Sequence, residues 1–272
     1  MTSSTILVTG ATGNVGGAVT RALQAEGRRI RALVREAGGP SAAELATGGV
    51  EVVQGDLGDV ASLTAAARGA DAVFLVTTPA AGTDVEVIHG TNMIAAAEAA
   101  GASRLVFSSV ASADQQTGIP HFDSKAEIEE ALSRSSLAWT VTAPAFFYDN
   151  VDFPWNQADL AEGRFRQALP RDRALQQISV DDVGRFNALV LDVNGTLDGQ
   201  RIEIAADELT GSEMAHALSH ALGRPIHYEP QSLDEVRNQF ADMAVMYEWL
   251  DRVGFEMDIE GLRRRFPQIP WT

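Results

Sequence analysis

Three evenly spaced glycines stand where a short apolar run gives way to an alanine-rich stretch, in Ile6-Leu-Val-Thr-Gly10-Ala-Thr-Gly13-Asn-Val-Gly16. The apolar run reads as a buried strand and the stretch from Val15 to Glu26 as a helix. A strand that turns straight into a helix leaves the first helical amides without partners. Glycines tighten such a turn and let those amides approach a phosphate at the positive end of the helix. The spacing and its flanks therefore predict a pyrophosphate cradle for a dinucleotide, built from Gly10, Thr12, Gly13, Asn14 and Val15.

The same alternation continues through the first half. Ile30–Val34, Val50–Val53, Ala72–Val76, Leu105–Phe107 and Trp139–Thr142 read as strands, with helices at Val60–Arg68 and Thr91–Ala100. Alternating strands and helices imply parallel pairing through crossovers. The expected fold is α/β, a Rossmann-type doubly wound parallel sheet with a smaller, interleaved C-terminal α/β substrate domain. Residues 1–144, with a returning segment at about 176–194, form the dinucleotide-binding part, and 145–272 the smaller one. Asp181-Asp-Val-Gly184 opens a helix expected to pack back on the first part. A strand at Arg201–Ala205 is assigned to the smaller part, followed by helices opened by the capping boxes Thr210-Gly-Ser-Glu213 and Ser232-Leu-Asp-Glu235. Trp249, Phe255 and Phe266 are expected in its core.

Composition narrows the chemistry. A chain of 272 residues without cysteine has neither disulfides nor a thiol nucleophile. A net charge of -16 opposes nucleic acid and anionic membrane surfaces. Met1–Val8 lacks the basic start of a signal peptide, and no run of about 18 apolar residues suggests a membrane span, so a soluble cytoplasmic protein is expected. His216 and His220 share a helix face without a third metal ligand and read as solvated. Arg263-Arg-Arg265 reads as a helix end stopped by Pro267.

An arginine where the second strand ends selects the cofactor. Arg35 follows Gly16 by 19 residues, the place where an NAD-preferring site carries a carboxylate for the ribose hydroxyl. A guanidinium there suits a 2′-phosphate. NADP is expected, with NAD as the alternative because Glu36 adjoins. Of the 21 basic residues only Lys125 is lysine. It ends the segment His121-Phe-Asp-Ser-Lys125, in which Ser124 reads as an N-cap boxed with Glu127, placing Lys125 in a first helical turn and His121 in the preceding loop. Lys125 and His121 are the candidate catalytic residues, since an imidazole suits proton transfer near neutrality.

Taken together these segments resemble the NmrA-like family of atypical short-chain dehydrogenases. The resemblance runs through Thr9–Gly16, Leu33-Val-Arg35, Gly55-Asp-Leu57, Phe107-Ser-Ser-Val110, His121…Lys125, Ala143-Pro-Ala-Phe-Phe-Tyr-Asp-Asn150 and Ile178–Gly184. Where related dehydrogenases carry Tyr-x-x-x-Lys, this chain has His121 at the tyrosine position. The resemblance implies that Asp56 and Leu57 bracket adenine and that Thr77, Thr78 and Pro79 line the ribose path. It places Ser108, Pro144 and Phe146 at the nicotinamide, Lys125 at its ribose, and Phe147, Tyr148 and Asn150 at the substrate.

Reducing an ordinary ketone requires a proton for a strongly basic alkoxide, which a site lacking the tyrosine supplies poorly. A quinone yields a ring-stabilised anion that takes its proton from water. The aromatic run Phe146, Phe147, Tyr148, Phe153 and Trp155 suits a flat ring. The expected activity is NADPH-dependent reduction of a quinone-like or conjugated aromatic substrate. The alternative implied by the resemblance is a dinucleotide-sensing regulator that binds a protein partner without turnover. A sugar-nucleotide epimerase is disfavoured by the same missing tyrosine.

Overall fold

The computed structural model describes residues 4–192 and 196–272, the Trp155 side chain excepted. Residues 1–3 of the Met1–Val8 segment and 193–194 of the returning segment lie outside them. In chain order β1 (Thr5–Val8), β2 (Arg29–Val34), β3 (Glu51–Gln54), β4 (Ala72–Val76), β5 (Arg104–Ser108) and β6 (Ala138–Pro144) alternate with α1 (Asn14–Ala25), α2 (Pro40–Thr47), α3 (Val60–Ala67), α4 (Thr83–Ala100) and α5 (Pro120–Ser133). The chain continues through β7 (Phe146–Phe147), α6 (Pro154–Ala161), β8 (Arg164–Gln167), β9 (Ala174–Ile178) and α7 (Val180–Asp192). It ends with β10 (Gln200–Ile204), β11 (Asp207–Thr210), α8 (Gly211–Leu222), β12 (His227–Pro230), α9 (Leu233–Gln239), α10 (Ala241–Arg252) and α11 (Ile259–Arg265).

Seven parallel strands form one sheet in the order β10-β6-β5-β4-β1-β2-β3. Its central strands are apolar on both faces, as a sheet covered on both sides requires. One face packs on α1 and α7 through Val19, Leu23, Val183 and Phe186. The other packs on α3, α4 and α5 through Leu63, Met93, Ile128 and Leu132. β11-β9-β7 form a second sheet, and β12 pairs with β8. Both boxes form as read: Thr210 and Ser232 each accept from the glutamate amide three residues on. Among the described residues no helix is long and apolar enough to cross a membrane.

Four assignments need correction. The strand at Arg201–Ala205 belongs to the main sheet: as β10 it pairs with β6 from Gln200↔Thr140 to Ile204↔Pro144. Local pattern identifies a strand but not its neighbour, and here α7 carries the chain back across the sheet before β10 begins. Phe266 packs edge-on against Phe186, at 4.9 Å between ring centroids, in the core of the main sheet. Trp249 and Phe255 do pack together, with Phe122 between the two parts. α4 starts at Thr83, well before Thr91, because its first turns bury Glu86 and Gly90 and so lack an apolar stripe. α5 starts at Pro120, whose fixed φ suits a first helical position. Ser124 is therefore inside the helix, not its cap, and His121 is helical.

Candidate active site

A parallel sheet brings the C-terminal ends of its strands to one edge, and a ligand crevice opens where the strand order reverses. Here that point lies between β1 and β4. The glycine turn follows β1, Arg35 follows β2, and Asp56 and Leu57 follow β3. Thr77, Thr78 and Pro79 follow β4, while Ser108 and Pro144 end β5 and β6 and lead to Phe146 on β7. The expected dinucleotide contacts thus share one edge.

The turn fits a pyrophosphate by its own geometry. Gly10 has φ +62°, and a Cβ on Gly16 would lie 2.3 Å from the Gly10 carbonyl oxygen. Gly13 precedes α1 as its N-cap and supplies no side-chain cap, and the first turn of α1 has no acidic residue. Its leading amides are left for an anion, unlike those of α8 and α9. Arg35 is exposed and has no ion-pair partner among the described residues. Replacing it with alanine is expected to weaken NADP binding by roughly 10-fold or more, the worth of a charge-assisted hydrogen bond. NAD affinity should hold; titration of both nucleotides against the Arg35→Ala variant checks this.

Lys125 points to the same edge under tight constraint. Its Nζ donates to Glu86 Oε1 at 2.7 Å and approaches the Thr77 hydroxyl and carbonyl at 3.4 and 3.5 Å. Glu86 also accepts from Thr77 Oγ1 at 2.8 Å and Ser124 Oγ at 2.7 Å. The Glu86 side chain is 0% exposed and that of Lys125 12%. Burial alone would raise the Glu86 carboxyl, but the Lys125 ammonium and the three hydrogen bonds outweigh it and hold the group below its ordinary range. Ser124, expected as a cap, instead serves as a donor to this carboxylate. Glu86 carried no sequence signal, being one acidic residue in the first turns of a long helix.

His121 engages a different partner. Its Nδ1 lies 2.8 Å from Asp242 Oδ1 on α10. A carboxylate oxygen can only accept, so Nδ1 is the donor of this bond. His121 and Lys125 sit four residues apart on α5 but reach different groups, and neither is among the residues lining the main cavity.

That cavity, about 400 Å³, opens beside β7. Phe147, Tyr148 and Asn150, proposed for the substrate, line it together with Phe146, proposed for the nicotinamide, and with Tyr247 and Met243 from α10. Two tyrosines, Tyr148 and Tyr247, therefore reach this cleft. Burial raises the Tyr148 hydroxyl well above the usual phenol value, and the Asp207 and Asp182 carboxylates raise it further. Burial does the same to Tyr247. Such phenols donate hydrogen bonds but release protons reluctantly. His216 and His220 are both exposed on α8, and no group of three metal-ligating side chains occurs among the described residues.

A sequence model of the NmrA-like family matches residues 2–263. The chain is 35% identical over 234 residues to a (4-alkanoyl-5-oxo-2,5-dihydrofuran-3-yl)methyl phosphate reductase of Streptomyces griseus, covering 85% of this chain and 79% of the relative. It is 31% identical over 240 residues to an NAD(P)H azoreductase of Xenophilus azovorans, covering 88% and 82%. The structure superposes with a TM-score of 0.84 on an NADPH-dependent quinone oxidoreductase of Escherichia coli complexed with NADPH, at 26% identity and covering 98% and 96%.

Proposed function

The chain belongs to the NmrA-like family, and on that premise we propose that it moves hydride from NADPH to a quinone-like or otherwise conjugated aromatic acceptor. Its general activity is that of an NAD(P)H-dependent oxidoreductase. The observation that carries the acceptor class is the cavity beside β7: aromatic walls with phenols whose pKa burial raises, and no histidine or lysine among its described lining residues.

The amides around Gly10, Thr12, Gly13, Asn14 and Val15 would hold the pyrophosphate, Arg35 the 2′-phosphate, and Asp56 and Leu57 the adenine. Thr77, Thr78, Pro79 and Lys125 would hold the ribose, and Ser108, Pro144 and Phe146 the nicotinamide. When bound, the reduced cofactor supplies the hydride, which is its own chemistry. The protein's part is alignment and exclusion of water. Phe147 and Tyr148 seat the flat ring, and Asn150 borders it. The phenols of Tyr148 and Tyr247 donate toward the carbonyl oxygen on which charge develops. The hydroquinone anion takes its proton from water, so no strong acid is required. Relatives that reduce quinone and azo substrates support this acceptor class, and an apolar cavity of this size favours turnover over dinucleotide sensing alone.

The test is NADPH oxidation over a panel of naphthoquinones and anthraquinones, with ordinary aliphatic ketones alongside. Quinones are expected to turn over and ketones to give no rate above background. Equal, negligible rates with cofactor demonstrably bound would remove the proposal.

A further inference from the structure

The cavity wall contains a polar group that the reading above leaves unused. Gln177 on β9 stands opposite Phe146 in the parallel β7–β9 register. It lines the cavity while being only 1% exposed. Its amide nitrogen donates to the Leu175 carbonyl at 3.4 Å. The other end, Oε1, is buried and has no hydrogen-bond partner among the described residues. A buried acceptor left unpaired is costly to the fold and is rarely kept without a use.

Donors line the same cavity. The Tyr247 ring lies 6.5 Å from that of Phe146. Tyr247 and Tyr148 both line the cavity, and neither hydroxyl has a hydrogen-bond partner among the described residues. The cavity therefore offers phenol donors and one unpaired acceptor. A quinone carbonyl can only accept, so it answers the phenols and leaves Gln177 unpaired. A hydroxyl on the same ring supplies the missing donor.

Resting on the reading that a quinone-like ring occupies this cavity, we infer that Gln177 determines specificity there: its Oε1 accepts a hydrogen bond from a ring hydroxyl, so hydroxylated quinones are taken in preference to those without one. A site built to bond a hydroxyl discriminates strongly against an analogue lacking it, because its own polar group is then left unpaired.

The experiment compares the wild-type protein with Gln177→Met, which keeps side-chain length and volume but removes the acceptor. The probes are a naphthoquinone and its hydroxylated counterpart. Each is followed by kcat/KM for NADPH oxidation and, without NADPH, by quenching of intrinsic fluorescence. The preference for the hydroxylated probe in the wild type, divided by that in the variant, cancels the probes' own reactivity. That quotient is expected to be roughly 10 or more in both readouts. The variant is also expected to melt at or above the wild-type temperature, since an unpaired acceptor has left the interior; a merely structural glutamine would give a lower Tm. A quotient near one in the quenching series overturns the inference, whether or not the quinones are reduced. Absence of turnover with the quotient intact in quenching overturns only the acceptor reading.

Discussion

The Gly16→Ala variant is expected to fold and to bind NADPH about 100-fold more weakly than the wild type. The added Cβ would lie 2.3 Å from the Gly10 carbonyl oxygen and 2.6 Å from that of Thr9, both backbone atoms that no side-chain rotation can move aside. The turn must shift as a unit, and overpacking of this kind costs about 1–3 kcal/mol. The part expressed in binding corresponds to between several-fold and about 100-fold, at about 1.4 kcal/mol per factor of ten. The upper end applies because the displaced atoms belong to the amide cradle itself. Calorimetric titration with NADPH, beside a thermal melt showing a cooperative transition, checks it. Wild-type affinity in a folded variant would show that the cradle is not where the nucleotide binds.

Glu86→Gln is expected to lower stability by about 3 kcal/mol, the lower end of the range for removing one partner of a buried ion pair. The lower end applies because Lys125, 12% exposed, keeps a route to water. In a domain of this size that corresponds to roughly 5 °C in Tm. Lys125→Met should be at least as damaging, since it leaves a fully buried carboxylate unpaired. The double variant should recover part of the loss, because neither charge then remains alone. A loss of activity in a Lys125 variant alone therefore mixes a role at the ribose with the stranded Glu86, and the double variant separates the two. The pH dependence carries the same signature. Glu86 is held below its ordinary value of 4.5, so its stabilisation is complete above that pH and disappears as pH falls through the lower folded value. The wild type and Glu86→Gln should thus converge in stability below about pH 4.5, as denaturant titrations at several pH values would show. A difference that persists unchanged into acid would place the effect elsewhere.

Legibility in the sequence followed the range of the interactions involved. The glycine turn, the apolar strands and the two capping boxes depend on residues within a few positions of one another, and each was readable. Where a helix begins was readable only when its first turn carries a cap or an apolar stripe. α4 and α5 have neither, because α4 buries a glutamate and α5 starts on a proline behind an uncapped isoleucine. Misplacing the start of α5 misassigned Ser124 and hid its bond to Glu86. Phe146, Phe147, Tyr148 and Asn150 were legible because a contiguous aromatic run after a strand stands out in a chain with few aromatics. Tyr247 and Gln177 were not, since nothing near either distinguishes it from a core aromatic or a strand glutamine.

The order of short apolar segments and the spacing of Gly10, Gly13 and Gly16 fixed a parallel sheet with a dinucleotide at its edge, because main-chain geometry over a few residues is set by those residues. What pairs with the lone lysine, which sheet receives the last long strand, and which groups wall the substrate cavity were decided only by the fold. Glu86 and Lys125 are 39 positions apart, and Phe146, Gln177 and Tyr247 come from three separate elements. Burial and pairing of such groups depend on which surfaces meet, and that follows from packing of the whole chain instead of from any local pattern.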